Sequence, residues 1–171
     1  MIRKAIKSDI KTILELYKEV AKIPDGIART PDEISHELIE EYFDKSSKQG
    51  LMFVAENSQN SKQLVAEVHC YRFDPKCFEH TLGNLVLVVH PNFHGQGLGK
   101  TIFNHLLEEV KNYHQNIARV ELFVRGSNKN AIDLYQKLGF VIEGQSQKRI
   151  LNSQRKLELD NLMGWINPNY S

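Results

Sequence analysis

From Val88 to Thr101 the chain reads Val-Val-His-Pro-Asn-Phe-His-Gly-Gln-Gly-Leu-Gly-Lys-Thr. An aliphatic strand runs into three alternating glycines, and apolar residues at helical spacing follow. Glycine allows a tight bend and a close approach of a ligand to the backbone. Successive N–H groups at a helix start point at one spot, where the helix dipole favours an anion. Strand, glycine turn and helix together make a phosphate cradle.

Spacing narrows the choice of phosphate. A Walker loop needs Gly, four residues, then Gly-Lys-Ser/Thr. Counting back from Gly99-Lys100-Thr101 puts His94 where its first glycine belongs. A dinucleotide fingerprint needs Gly-x-Gly-x-x-Gly, whereas Gly95, Gly97 and Gly99 are spaced two and two. Neither nucleotide motif is met. A helix start with incidental glycines is the plain alternative, but three such residues weaken a helix.

The rest of the chain supplies alternating short strands and helices. Ile2–Ile6 reads as a strand, and Ser8 as the N-cap of a helix carrying Ile10, Ile13, Leu14, Tyr17, Val20 and Ala21. Thr30, Pro31 and Glu33 form a capping box for a second helix running to about Asp44, with Ile34, Leu38, Ile39 and Tyr42 facing the core. Leu51–Ala55 and Leu64–Phe73 read as a hairpin around the polar turn Asn57–Gln63. Leu85–Val89 reads as a strand buried on both faces. Leu98, Ile102, Leu106, Val110 and Tyr113 mark a helix stripe, and Val120, Leu122 and Val124 a further strand. Ala131, Leu134, Tyr135 and Leu138 mark a short helix stopped by Gly139, and strands at Phe140–Ile142 and Lys156–Met163 close the chain. The order is β-α-α-β-β-β-α-β-α-β-β. It predicts an α/β chain of the α+β type, with a mixed, mostly antiparallel central sheet flanked by helices in one domain over residues 1–171.

At this point two blocks carry a resemblance. His94-Gly95-Gln96-Gly97-Leu98-Gly99 resembles the pyrophosphate-binding signature of the GNAT superfamily, Arg/Gln-x-x-Gly-x-Gly/Ala, with His in place of Arg or Gln. Asn128-Lys129-Asn130-Ala131-Ile132-Asp133-Leu134-Tyr135-Gln136-Lys137-Leu138-Gly139-Phe140 resembles the family's Asn-x-x-Ala-x-x-Leu-Tyr-x-x-x-Gly-Phe. The element order is similar as well, so the resemblance covers essentially the whole chain.

The resemblance implies an N-acetyltransferase that moves the acetyl group of acetyl-CoA to a primary amine of a small molecule or peptide. It implies that backbone groups of Leu87, Val88 and Val89 meet the pantetheine arm, whose amides can mimic a neighbouring strand. His94, Gly95, Gln96, Gly97, Leu98, Gly99 and Lys100 would hold the pyrophosphate, and Asn128 would contact the cofactor. Tyr135 matches the tyrosine assigned as general acid to the departing thiolate. A phenol suits that step, although the same ring also fits the core stripe of its helix.

No general base is legible. Asn84 stands where relatives often carry Glu, while Glu79 and His80 are nearby alternatives. His69, Cys70, Cys77 and His80 tempt a metal reading, but adjacent strand residues face opposite sides, so no metal is expected. Asp25, Asp32, Glu33, Glu37, Glu40, Glu41 and Asp44 outnumber Arg29 and Lys45 around the second helix. By resemblance this region rims the acceptor cleft, where an acidic rim would favour a cationic amine. The plainer reading is a solvated helix face.

Composition bounds the remaining classes. Lys+Arg and Asp+Glu nearly cancel, at 22 against 21, which argues against a nucleic-acid partner. The N-terminus lacks the apolar core of a signal peptide, and Leu85–Val89 is too short to span a bilayer, so no membrane partner is expected. Two cysteines give no disulfide framework, and a cytoplasmic location is the simpler assumption. A homodimer is compatible with the sequence. A catalytically silent CoA-binding module and a P-loop-like nucleotide enzyme stand as rival classes, the latter opposed by the glycine spacing.

Overall fold

The computed structural model describes residues 1–60 and 63–171. Its strands are β1 (Ile2–Lys4), β2 (Gly50–Glu56), β3 (Leu64–Arg72), β4 (Thr81–Val89), β5 (Arg119–Arg125), β6 (Val141–Leu151) and β7 (Leu157–Ile166). Its α-helices are α1 (Ile10–Ala21), α2 (His36–Gln49), α3 (Leu98–Tyr113) and α4 (Lys129–Lys137). This is the element order expected from the residues. The strands hydrogen-bond in the order β1-β2-β3-β4-β5-β7-β6. Pairs β1/β2, β2/β3, β5/β7 and β6/β7 are antiparallel, and β4/β5 is parallel. No described helix is long and apolar enough to cross a membrane.

The chain forms two compact units, one from Met1–Tyr71 with Val86–Leu107, the other from Arg72–Leu85 with Glu108–Ser171. In the first, β1, β2, β3 and the end of β4 lie side by side. Their core joins Ile10, Ile13, Leu16, Tyr17 and Val20 of α1 to Ile39 of α2 and to Met52, Val54, Leu64 and Val88 of the strands. Arg3 pins β1 from two sides, reaching Asp9 Oδ2 and Glu56 Oε1 at 2.7 Å each. In the second, the start of β4 pairs with β5 through Thr81 and Leu82, and β5 is followed outward by β7 and β6. Val120, Leu122, Val124, Ile132, Tyr135, Phe140 and Met163 are buried there.

Several local expectations need correction. Ser8 does not cap α1: it lies in a 3-10 turn, Lys7–Asp9, and Asp9 accepts the Ile6 N–H at 2.8 Å instead. The Thr30–Glu33 capping box forms, but it opens only a 3-10 turn, Pro31–Glu33. Ile34 is then extended (φ −90°, ψ 103°), and Ser35 starts α2 afresh by accepting from Leu38 N. The helix continues past Asp44 to Gln49. On β4, Leu85, Leu87 and Val89 are only half-buried, so the strand is not covered on both faces. Tyr113 is 76% exposed and leaves the α3 stripe. The Asn57–Gln63 turn is closed by Asn57 N–H donating to Gln63 O at 2.9 Å, while positions 61 and 62 lie outside the described residues.

Candidate active site

The glycine turn follows the end of β4 through a 3-10 turn, Pro91–Phe93. Gly95 and Gly97 both take φ +74°, the left-handed region that side chains other than glycine's rarely adopt. A Cβ built on either would meet nothing within 4 Å. Backbone conformation therefore requires these glycines, and the space above them is open. Helix α3 begins at Leu98, and the first N–H groups of a helix have no acceptor within it. Gly99 lies inside that first turn, and Thr101 closes it by donating from N and Oγ1 to Gly97 O at 3.0 Å each.

His94 braces this turn. Its Nε2 lies 2.9 Å from Val89 O, and a carbonyl only accepts, so the ring donates and ties the turn to the end of β4. Gln96 Nε2 donates to Asn92 O at 3.2 Å. His94, Gln96 and Lys100 are exposed, and Leu98 is half-buried. The structure thus brings Leu87, Val88, Val89 and His94 to Lys100 together in the first unit.

Asn128 and Tyr135 belong to the second unit. Asn128 is the N-cap of α4, its Oδ1 accepting from Ala131 N at 3.2 Å, so the residue type is explained by capping alone. Tyr135 is buried, its ring centroid 6.0 Å from that of Phe140. Burial pushes its phenol up to about 12. Gly139, at φ +94°, ends the segment.

The alternative readings separate cleanly. Cys70 is buried, with its thiol pushed up to about 12 by burial, which makes it a poor nucleophile. Cys77 is exposed, and among the described residues no group of three or more His, Cys, Asp and Glu could hold a metal. Asn84 has φ +49° and is exposed on β4, and Glu79 is exposed beyond a 3-10 turn. Part of the acidic face of α2 pairs with nearby lysines: Glu41 meets Lys45 at 2.7 Å, Glu40 meets Lys7 at 3.9 Å, and Asp44 meets Lys48 at 3.9 Å. Glu33 is held by Thr30.

One cluster escaped the sequence reading. Tyr17 of α1 donates from its hydroxyl to Glu67 Oε2 at 2.7 Å, and Glu67 Oε1 lies 3.0 Å from His69 Nδ1, all three side chains being buried. The available signal was Glu67-x-His69-x-Tyr71, polar and aromatic residues alternating along an otherwise apolar strand.

Comparison with known proteins then decides the family. The profile of the Acetyltransferase (GNAT) family matches residues 11–140. The chain belongs to the GNAT family. Over 62 residues this GNAT chain is 42% identical to the [ribosomal protein bS18]-alanine N-acetyltransferase of Escherichia coli K12, a match covering 36% of this chain and 39% of the relative. The chain therefore spans about two-fifths of that relative's length. Its fold is that of a GNAT acetyltransferase from Streptococcus pneumoniae, with TM-score 0.86 and 23% identity over 97% of this chain and 98% of the other. It is also that of YncA from Salmonella typhimurium, solved with its cofactor acetyl-CoA, with TM-score 0.84 and 17% identity over 100% and 95%.

Proposed function

We propose that this GNAT chain transfers the acetyl group of acetyl-CoA to a primary amine of a small molecule or peptide. The observation that carries the reading is the glycine turn: two left-handed glycines under open space, at the head of a helix of 16 residues. Backbone N–H groups from Gly95 to Lys100 would meet the pyrophosphate, with the helix dipole behind them. Leu87, Val88 and Val89 would pair with the pantetheine amides. YncA, a protein of the same fold with acetyl-CoA in its structure, and the alanine N-acetyltransferase of Escherichia coli support the choice of cofactor and of an amine acceptor.

The reaction couples nitrogen attack on the thioester carbonyl to loss of the thiolate. Tyr135 would donate its hydroxyl proton to the departing sulfur and recover one from the nitrogen of the collapsing intermediate. Asn128 would hold the start of α4 and present its remaining amide N–H groups to the cofactor. One domain over residues 1–171, a cytoplasmic setting, no nucleic-acid or membrane partner, and room for a homodimer complete the reading. The near-balanced charge and the free cysteines support it.

Acetyl-CoA consumption over a panel of amino acids, polyamines, aminoglycosides and peptide N-termini tests the proposal. Turnover of at least one amine is expected. CoA binding without turnover of any of them would favour a silent CoA-binding module.

A further inference from the structure

The buried Tyr17–Glu67–His69 cluster has the layout of an oriented base. A carboxylate is acceptor-only, so Glu67 accepts a hydrogen bond from the Tyr17 hydroxyl on Oε2 and one from His69 Nδ1–H on Oε1. Tyr17 also lies 3.4 Å from His69 Nδ1, too long to compete with its 2.7 Å bond to Glu67. Fixing the proton on Nδ1 leaves Nε2 of the neutral ring as a bare lone pair. Nε2 is buried, and among the described residues nothing hydrogen-bonds to it. Burying a polar atom without a partner is costly, so an atom left this way calls for an explanation. The same logic, carboxylate to Nδ1 and free Nε2, orients the base of hydrolytic triads.

The surroundings fit a proton acceptor. His69 is flanked by the rings of Tyr42, with centroids 4.6 Å apart, and Tyr71, stacked at 6.0 Å and 6°. Tyr42 and Tyr71 are themselves half-buried. The titratable groups facing the imidazole are Tyr17 from α1, Tyr42 from α2, and Glu67 and Tyr71 from β3. Its partner on β2 is Met52. Farther out, Arg29 donates to the Tyr42 hydroxyl at 3.0 Å, and Lys45 lies 5.5 Å from the centre of the Tyr71 ring, beside Glu41. Strand β3 hydrogen-bonds beside β4, where His90 N donates to Val65 O at 2.8 Å, so the cluster lies one strand from Leu87–Val89.

We infer that His69, oriented by Glu67 and Tyr17, accepts the proton that the acceptor's ammonium group must lose before it can attack acetyl-CoA. The inference rests on the acetyltransferase reading and names a base for it. The ammonium passes one proton through a water molecule to His69 Nε2, giving a neutral amine and an imidazolium paired with Glu67. The amine adds to the thioester carbonyl, the intermediate collapses with loss of the C–S bond, and the nitrogen's second proton replaces on Tyr135 the one given to sulfur. The imidazolium then releases its proton to solvent. Net, ammonium and acetyl-CoA become amide, CoA thiol and one proton. Glu67 and Tyr17 are positioning residues, since they act only through the ring.

The test is a pH profile of kcat from pH 5.5 to 9.5 with the fastest amine of the panel. His69→Gln should lower kcat about ten- to a hundredfold, at the low end of what a general base contributes, and abolish a one-proton acid limb seen in the parent. Glu67→Gln loosens the hold on the Nδ1 proton and should lower kcat by a smaller factor than His69→Gln does. Acetyl-CoA affinity, measured by calorimetry, should stay within about twofold in both. Parent-like turnover and limb in His69→Gln overturn the inference while leaving the acetyltransferase reading intact; loss of acetyl transfer in the parent defeats that reading first. Should either variant fail to fold, 15N shifts of the histidine rings in the parent protein decide. A His69 ring protonated at Nδ1 and bare at Nε2 supports the inference, and the opposite tautomer refutes it.

Discussion

Tyr135 is the side chain on which burial meets the proposed chemistry. A phenol pushed up to about 12 keeps its proton across the working range, so it can donate to a thiolate at any such pH. Its own ionisation therefore brings no alkaline loss of kcat below that value. Tyr135→Phe keeps the ring packed beside Phe140 and should leave the melting temperature within a degree or two, while kcat falls about ten- to a thousandfold. Steady-state kinetics with a solvent-isotope check that chemistry limits the rate would decide; near-normal turnover would return Tyr135 to the core. His69 taught the opposite lesson. A histidine on a strand next to Glu67 is invisible to hydrophobic patterning, because period-two logic sends polar residues to solvent. Only the tertiary structure shows α1 and α2 closing over that face with Tyr17 and Tyr42.

At the level of elements, stop and start signals were readable where one local interaction dominates, and misleading where two compete. Thr30, Pro31 and Glu33 make a genuine capping box, yet the turn they open ends at Ile34, which is buried in extended conformation. Burying Ile34 outweighs continuing the helix, and Ser35 takes over as cap. Ser35→Ala should therefore destabilise the protein by about 1 kcal/mol, and Thr30→Ala by distinctly less, in urea denaturation. Equal losses would mean that the 3-10 turn and α2 melt as one helix. Strand β6 shows the limit of periodicity in another way. Nearly all of its 11 residues are exposed, so no apolar alternation announced the strand beyond Ile142, and its pairing with β7 fixes it.

For the whole molecule, the element order and the mixed sheet were legible because each strand and helix carried its own apolar period. The grouping into two compact units was not, since strand β4 and helix α3 each contribute residues to both and nothing in their sequences marks the division. The glycine turn announced itself in the sequence, while the buried Tyr17–Glu67–His69 cluster did not. A ligand that binds only the folded chain stabilises all of it. Acetyl-CoA at about 100 times its Kd should add about 2.7 kcal/mol, or roughly 5–10 °C in Tm. Gly97→Asp should abolish that gain, because a carboxylate enters the open space above the turn and repels pyrophosphate. Asp tolerates positive φ better than most residues, so the apo fold should survive. A full thermal shift in the variant, read by scanning calorimetry, would dismiss the pyrophosphate assignment.

Strand β6 also governs how crowded solutions of this protein behave. It ends the sheet order, and a long edge carrying Val141, Ile142 and Leu151 in the open is the kind of template on which other chains can stack. Two register breaks interrupt it, between Ile142 and Gly144 and between Ser146 and Ile150, and Lys148 within the second adopts φ +57°. Such kinks twist an edge away from flat pairing, and the exposed cation Lys148 repels a like strand. The irregularities of β6 thus act as guards against fibrillar stacking, and straightening them would trade colloidal stability for a more regular hairpin.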